Sequence, residues 1–257
     1  MIAPIVVGVL AGFAGYAYLA LRPPPPKVCG SPGGPPVTSP RVKLSDGRHL
    51  AYKERGTTKE EAKYKIIISH GFADSKDFNL PISEELLKGL QIYLLSFDRA
   101  GYGESDPNPK RSVKSDAIDI QELADKLQLG PKFSMIGISL GAYAVYGCLK
   151  YLPHRLSGAA LEKVQQQGVH ESLYRDMIVS YGNWEFDPTD ISNPFPNNEG
   201  SVHIWQGYDD KFIPFELNRY LSQQIPWIQY HEVPDAGHLL ICKASLCEAI
   251  FKELIST

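Results

Sequence analysis

One serine in this chain has the neighbours that acyl-transfer chemistry requires. Gly137-Ile138-Ser139-Leu140-Gly141 reads G-x-S-x-G and lies between an apolar run, Phe133 to Ile138, and a helix-like stretch ending near Leu152. In a strand–turn–helix context this is the pattern of a nucleophile elbow. A sharp bend lifts the hydroxyl clear of the backbone, where a histidine reaches it from one side and a substrate carbonyl from the other. The flanking glycines leave room for strand and helix to cross closely. A serine hydroxyl is a weak nucleophile at neutral pH, so a base must lie within hydrogen-bond reach.

The elements that must position these groups are legible in the apolar patterning. Arg41 to Glu54 reads as a hairpin turning at Asp46-Gly47. Buried strands are predicted at 65–69, 92–97, 133–138, 156–161, 202–205 and 228–233, and helices at 83–90, 112–129, 140–152, 214–224 and 239–254. Strands alternating with helices imply right-handed crossovers and a mostly parallel sheet with helices on both faces. In such sheets the loops at the carboxyl ends of the strands gather the ligand. Those ends carry His70-Gly71-Phe72, Asp98 to Ser105, Ser139, Gly207 to Asp210, and Asp235 to His238.

With these motifs the chain resembles the α/β-hydrolase superfamily of the serine-nucleophile type, from about Arg41 onward. The D-R-x-G-Y-G-x-S segment (Asp98 to Ser105) and G-x-x-D-x-x-x-P (Gly207 to Pro214) are similar to signatures of that superfamily. So is the chain order nucleophile, acid, histidine. Within it, the chain resembles membrane-anchored plant hydrolases of unassigned substrate. The resemblance implies a triad of Ser139, Asp210 and His238, with Asp209 one residue too early and Glu162 a distant alternative acid. It implies an oxyanion hole from the backbone N–H groups of Phe72 and Leu140. His231, inside an extended run, is the rival base. His70 shapes a turn and transfers no proton, and Asp98 and Arg99 brace loops. A serine at the elbow argues against the epoxide hydrolase and haloalkane dehalogenase branches, which use aspartate there.

The rest of the chain bounds the setting. Its 257 residues, 43% hydrophobic and 21% charged, suffice for one sizeable core. A net charge of −3 without basic runs excludes a nucleic-acid partner. Cys29, Cys148, Cys242 and Cys247 lack metal or disulfide spacing and read as free thiols. No G-x-G-x-x-G follows the first strand and no metal-ligand cluster is visible, so neither cofactor nor metal is expected. Residues 1–22 read as a transmembrane anchor: Met1 to Leu21 holds no charged side chain, and Arg22 and Lys27 follow it. By the positive-inside rule the catalytic part faces the cytoplasm, in a single-pass arrangement. Residues 23–40 form a Pro/Gly-rich linker and 41–257 the hydrolase domain. Only about 40 residues separate the 156–161 strand from the next, which predicts a shortened cap over 162–200 and an open, water-exposed site. The expected activity is cleavage of a small-molecule or lipid-derived ester or thioester through an acyl-enzyme. The alternative is a catalytically weak or inactive hydrolase fold that serves as a binding module at a membrane.

Overall fold

The computed structural model describes residues 27–162 and 170–256, together with Gly12, Gly15 and Tyr16. The rest of the expected anchor lies outside them. Among the described residues no helix is long and apolar enough to cross a membrane. The chain divides into a short amino-terminal unit, Met1–Pro35, and a large one, Pro36–Thr257. In the first, hydrogen bonds from Gly30 N to Pro35 O (2.8 Å) and from Gly34 N to Ser31 O (2.9 Å) fold the linker into tight turns.

The large unit is an α/β sandwich. Its strands are β1 (Arg41–Lys43), β2 (His49–Gly56), β3 (Tyr64–Ser69), β4 (Ile92–Phe97), β5 (Phe133–Ile138), β6 (Leu156–Glu162), β7 (Val202–Gly207) and β8 (Ile228–Val233). Its helices are α1 (Glu84–Gly89), α2 (Val113–Lys126), α3 (Ala142–Tyr151), α4 (His170–Tyr181), α5 (Phe215–Gln224) and α6 (Ala244–Ile255). The sheet order is β1-β2-β4-β3-β5-β6-β7-β8. β2 pairs antiparallel with both β1 and β4, and all the other neighbours pair parallel.

Parallel strands are covered on both faces and so need apolar side chains on both. β3 shows the consequence. Ile67 packs with Ala117, Ile120 and Leu123 of α2 and Val145 of α3 in one core. Ile66 and Ile68 pack with Leu87 of α1 and Ile250, Phe251 and Leu254 of α6 in the other. The helices begin where the sequence supplies caps: the Ser112 side chain accepts from Ser115 N, and Ser115 returns a bond to the Ser112 backbone, closing a capping box.

The region after β6 departs from expectation. Residues 184–196 have the Pro- and Asn-rich composition of a surface loop, yet Ile191 and Phe195 are buried in the α2/α3 core and Trp184 and Phe186 pack against it. Four apolar side chains in a Pro- and Asn-rich segment gain more from burial than the segment's polarity suggests.

Candidate active site

β5 reaches Ile138 in extended geometry, and the chain then turns through Ser139 at φ = 51° before a single 3₁₀ turn leads into α3. A left-handed backbone costs a non-glycine residue on the order of 1–3 kcal/mol. A turn alone would be made more cheaply by glycine. The flanking glycines are sterically required. A Cβ on Gly137 would lie 2.7 Å from Val145 Cγ2, and one on Gly141 only 2.1 Å from Ser69 O and 2.7 Å from His70 O. The elbow is therefore pressed against the end of β3, the strand that leads to Phe72. Leu140 opens the helical segment, where the first N–H groups have no intrahelical partner and the helix dipole favours negative charge.

β7 and β8 end in loops that cross. A Cβ on Gly207 would lie 2.3 Å from Ala236 O, and Asp209 N donates to that same carbonyl at 2.9 Å. The crossing sets His238 beside Asp210: His238 Nδ1 meets Asp210 Oδ2 at 2.8 Å, with the two side chains 9% and 3% exposed. The other carboxylate oxygen accepts from Phe212 N (2.8 Å) and Ile213 N (3.0 Å). Burial opposes ionisation of Asp210, but the Ile213 N–H, the His238 ring and the Phe212 N–H outweigh it and hold its pKa below the usual carboxylate range. Asp209, one residue earlier, points to solvent. Gln206, which sequence reasoning missed, also donates to Asp210 Oδ2 at 3.1 Å. Its signal was a lone amide within an otherwise buried strand.

The third loop is pinned by a buried ion cluster. Arg99 N donates to His70 Nε2 at 3.0 Å, so the His70 proton sits on Nδ1, which donates to Gly71 O at 2.9 Å. Burial and the Arg99 charge push the His70 pKa well below its ordinary value, keeping it neutral. Arg99 Nη2 also donates to Gly71 O, at 2.7 Å. The Gly71 carbonyl and the Phe72 N–H share one planar, trans peptide and point in opposite directions. Two donors on the carbonyl therefore fix where the Phe72 N–H aims.

Arg99 in turn is held by Asp176 of α4, through Nη1 and Nη2 both at 2.7 Å. Asp176 also accepts from Arg111 Nη1 at 2.7 Å and from the Tyr102 hydroxyl, and Arg111 pairs with Asp116 at 2.8 and 2.9 Å. Burial disfavours the Asp176 carboxylate, but the two guanidinium charges prevail and hold its pKa far below the usual range. Asp98 accepts from Lys76 N (2.7 Å) and Glu104 N (3.0 Å). Asp98 and Arg99 thus brace loops, whereas Asp176 and Arg111 carried no motif by which sequence reasoning could find them.

α4 is accordingly clamped to the loop after β4. Ser139 is 5% exposed. The backbone of Glu162 pairs with Ile138 at the end of β6. His231 lies in mid-strand on β8 against His203, not beside Asp210. His203, His231 and Glu253 are the group among the described residues that brings three metal-type ligands together. A cleft of about 250 Å³ between α2, α4 and Trp184 shares no residue with Ser139, Asp210 or His238.

No family model matches the sequence, and no curated protein matches it. The fold, by contrast, is found in solved structures. An α/β hydrolase fold protein from Chitinophaga pinensis superposes with a TM-score of 0.66 at 19% identity, covering 86% of this chain and 98% of that one. The enol-lactonase from Burkholderia xenovorans gives 0.66 at 17%, covering 84% and 98%. A thermophilic esterase from Thermogutta terrifontis gives 0.62 at 19%, covering 85% and 98%. The chain has the α/β-hydrolase fold.

Proposed function

We propose that this protein is a serine hydrolase that cleaves a carboxylic ester or thioester through an acyl-enzyme. The observation that carries the reading is Ser139 at φ = 51°. The fold holds a hydroxyl-bearing residue in a strained conformation at the carboxyl edge of a parallel sheet, where ligands gather. In this reading His238 takes the Ser139 proton as the hydroxyl attacks the substrate carbonyl. Asp210, kept ionised by its backbone donors, fixes the His238 tautomer through Nδ1 and stabilises the imidazolium. The Phe72 and Leu140 N–H groups receive the charge that develops on the carbonyl oxygen. His238 then protonates the leaving group, and water repeats the sequence on the acyl-enzyme. Solved structures of this fold named as an esterase and an enol-lactonase fit ester chemistry.

The uncharged run of Met1 to Leu21, followed by Arg22 and Lys27, supports a single-pass anchor with the hydrolase unit on the cytoplasmic side. A lipid-derived ester then lies within reach.

The test is covalent labelling of the full-length chain by a fluorophosphonate, alongside Ser139→Ala. Labelling that disappears in the variant is expected. Absence of labelling in a folded chain overturns the hydrolase reading in favour of a binding module.

A further inference from the structure

Outside the proposed active site, β7, β8 and α6 bring together chemistry of a different kind. Side chains alternate across a strand, so His203 and Trp205 of β7 share one face, and His231 and Val233 of β8 share it with them. Trp205 pairs in register with His231, which makes His203 and His231 diagonal neighbours. That face packs against α6, whose Ile250 and Leu254 belong to the same core as Trp205 and Val233. His203 is 1% exposed at the edge of an otherwise apolar layer.

His203 Nδ1 and His231 Nε2 lie 2.9 Å apart, and the rings stack with centroids at 5.2 Å. Trp205 stacks on the outer face of His231 at 4.1 Å and 10°. Glu253 of α6 completes the group, and one ligand atom from each of the three falls within 4.8 Å of the others. Two neutral imidazoles and a carboxylate form a donor set suited to zinc-type ions.

We propose that His203 Nδ1, His231 Nε2 and the Glu253 carboxylate form a binding site for one divalent zinc-type metal ion, with water as the fourth ligand. Two nitrogens at about 2.0–2.1 Å from a tetrahedral ion stand about 3.3 Å apart. The 2.9 Å pair therefore has to open by about 0.4 Å, a small rotation of the half-buried His231 ring. His203 Nε2 already meets Ser201 Oγ at 2.6 Å. This is the outer hydrogen bond that metal-bound histidines use to fix tautomer and ring plane. The ion staples β7, β8 and α6, the elements from which the Asp210 and His238 loops spring. Its role is structural, and it stands whether or not Ser139 is a nucleophile.

The test uses the full-length chain in detergent, tag-free and stripped by chelator, titrated calorimetrically with Zn²⁺ alone. Bound zinc is counted by atomic emission after desalting. One equivalent is expected, with a rise in the thermal midpoint. Glu253→Gln and His231→Gln, both at half-buried positions, are each expected to remove the stoichiometric binding and the thermal rise while retaining the metal-free midpoint. Ser201→Ala is expected to weaken binding by about 10–100-fold. No stoichiometric zinc in the wild-type chain overturns the proposal, and so does undiminished binding in either ligand variant.

Discussion

Asp176→Asn tests the coupling between α4 and the Phe72 turn. The amide keeps the side chain's volume and removes its charge. Arg111 retains its bidentate bond to Asp116, but Arg99 loses the carboxylate that pairs with it and keeps neutral acceptors, the Gly71 carbonyl and the amide oxygen at 176, with both arginine side chains 2% exposed or less. Leaving a buried charge without its counter-ion costs about 3–5 kcal/mol. At roughly 2–4 °C per kcal/mol for a domain of this size, the midpoint falls by about 6–20 °C. Chemistry is affected more mildly. Deleting an oxyanion donor costs about 10²–10³ in rate. Here the Phe72 N–H remains, and loses only the firm hold of one of the two groups that aim it. A fall of about tenfold in the rate of fluorophosphonate labelling is expected, well below saturation and at a temperature where the variant is folded. Urea denaturation and labelling kinetics measure the two effects separately, and a double-mutant cycle with Arg99→Gln apportions the coupling. A stability loss under about 1 kcal/mol would refute the ion-cluster argument. A full stability loss with an unchanged labelling rate would leave α4 a purely structural brace and sink its link to the oxyanion turn.

Two further outcomes follow from the same geometry. Asp210→Asn is expected to lower kcat by about 10⁴ on a short-chain ester through the wrong His238 tautomer, whereas Asp209→Asn, at an exposed neighbour, changes it by less than about threefold; equal effects would invalidate the assignment of the acid. Glu104 accepts from Thr38 N (2.8 Å) and Oγ1 (2.5 Å) and from Ser39 N (3.0 Å) and Oγ (2.8 Å). Burial opposes its ionisation, but these donors lower its pKa from 4.5 to about 2. Because the folded pKa is depressed, Glu104 contributes stability that is fully present above pH 4.5 and is lost as pH falls toward 2. The gap between the urea midpoints of wild type and Glu104→Gln is therefore expected to be largest at pH 7, to narrow at pH 3 and to close only at pH 2 and below, and a constant gap counts against the Thr38–Ser39 tie.

The strands were legible because a parallel sheet buried on both faces demands short apolar runs. Three of them, Ile92–Phe97, Phe133–Ile138 and Ile228–Val233, match the sequence reading residue for residue. Helix ends blurred where the chain changed character. The predicted 140–152 and 239–254 helices each begin as a 3₁₀ turn, at Ser139–Gly141 and Leu240–Cys242. In the region after β6, residue polarity by itself says nothing about pairing. Asp176 looks like an ordinary surface acid until Arg99 and Arg111 are seen on either side of it.

By itself, the sequence determined where the candidate site sits: a serine between two glycines, and acids and a histidine at strand ends. Local rules suffice for this, since backbone strain, steric room and apolar periodicity are properties of neighbouring residues. Only the tertiary structure decided between Asp209 and Asp210, because adjacent side chains on a loop diverge and the Gly207–Ala236 crossing selects which one meets His238. Only the tertiary structure joined α4 to the Gly71–Phe72 peptide and brought His203 against His231, 28 positions away. Those contacts depend on the register of parallel strands and on the closing of a buried charge cluster, which no window of sequence contains.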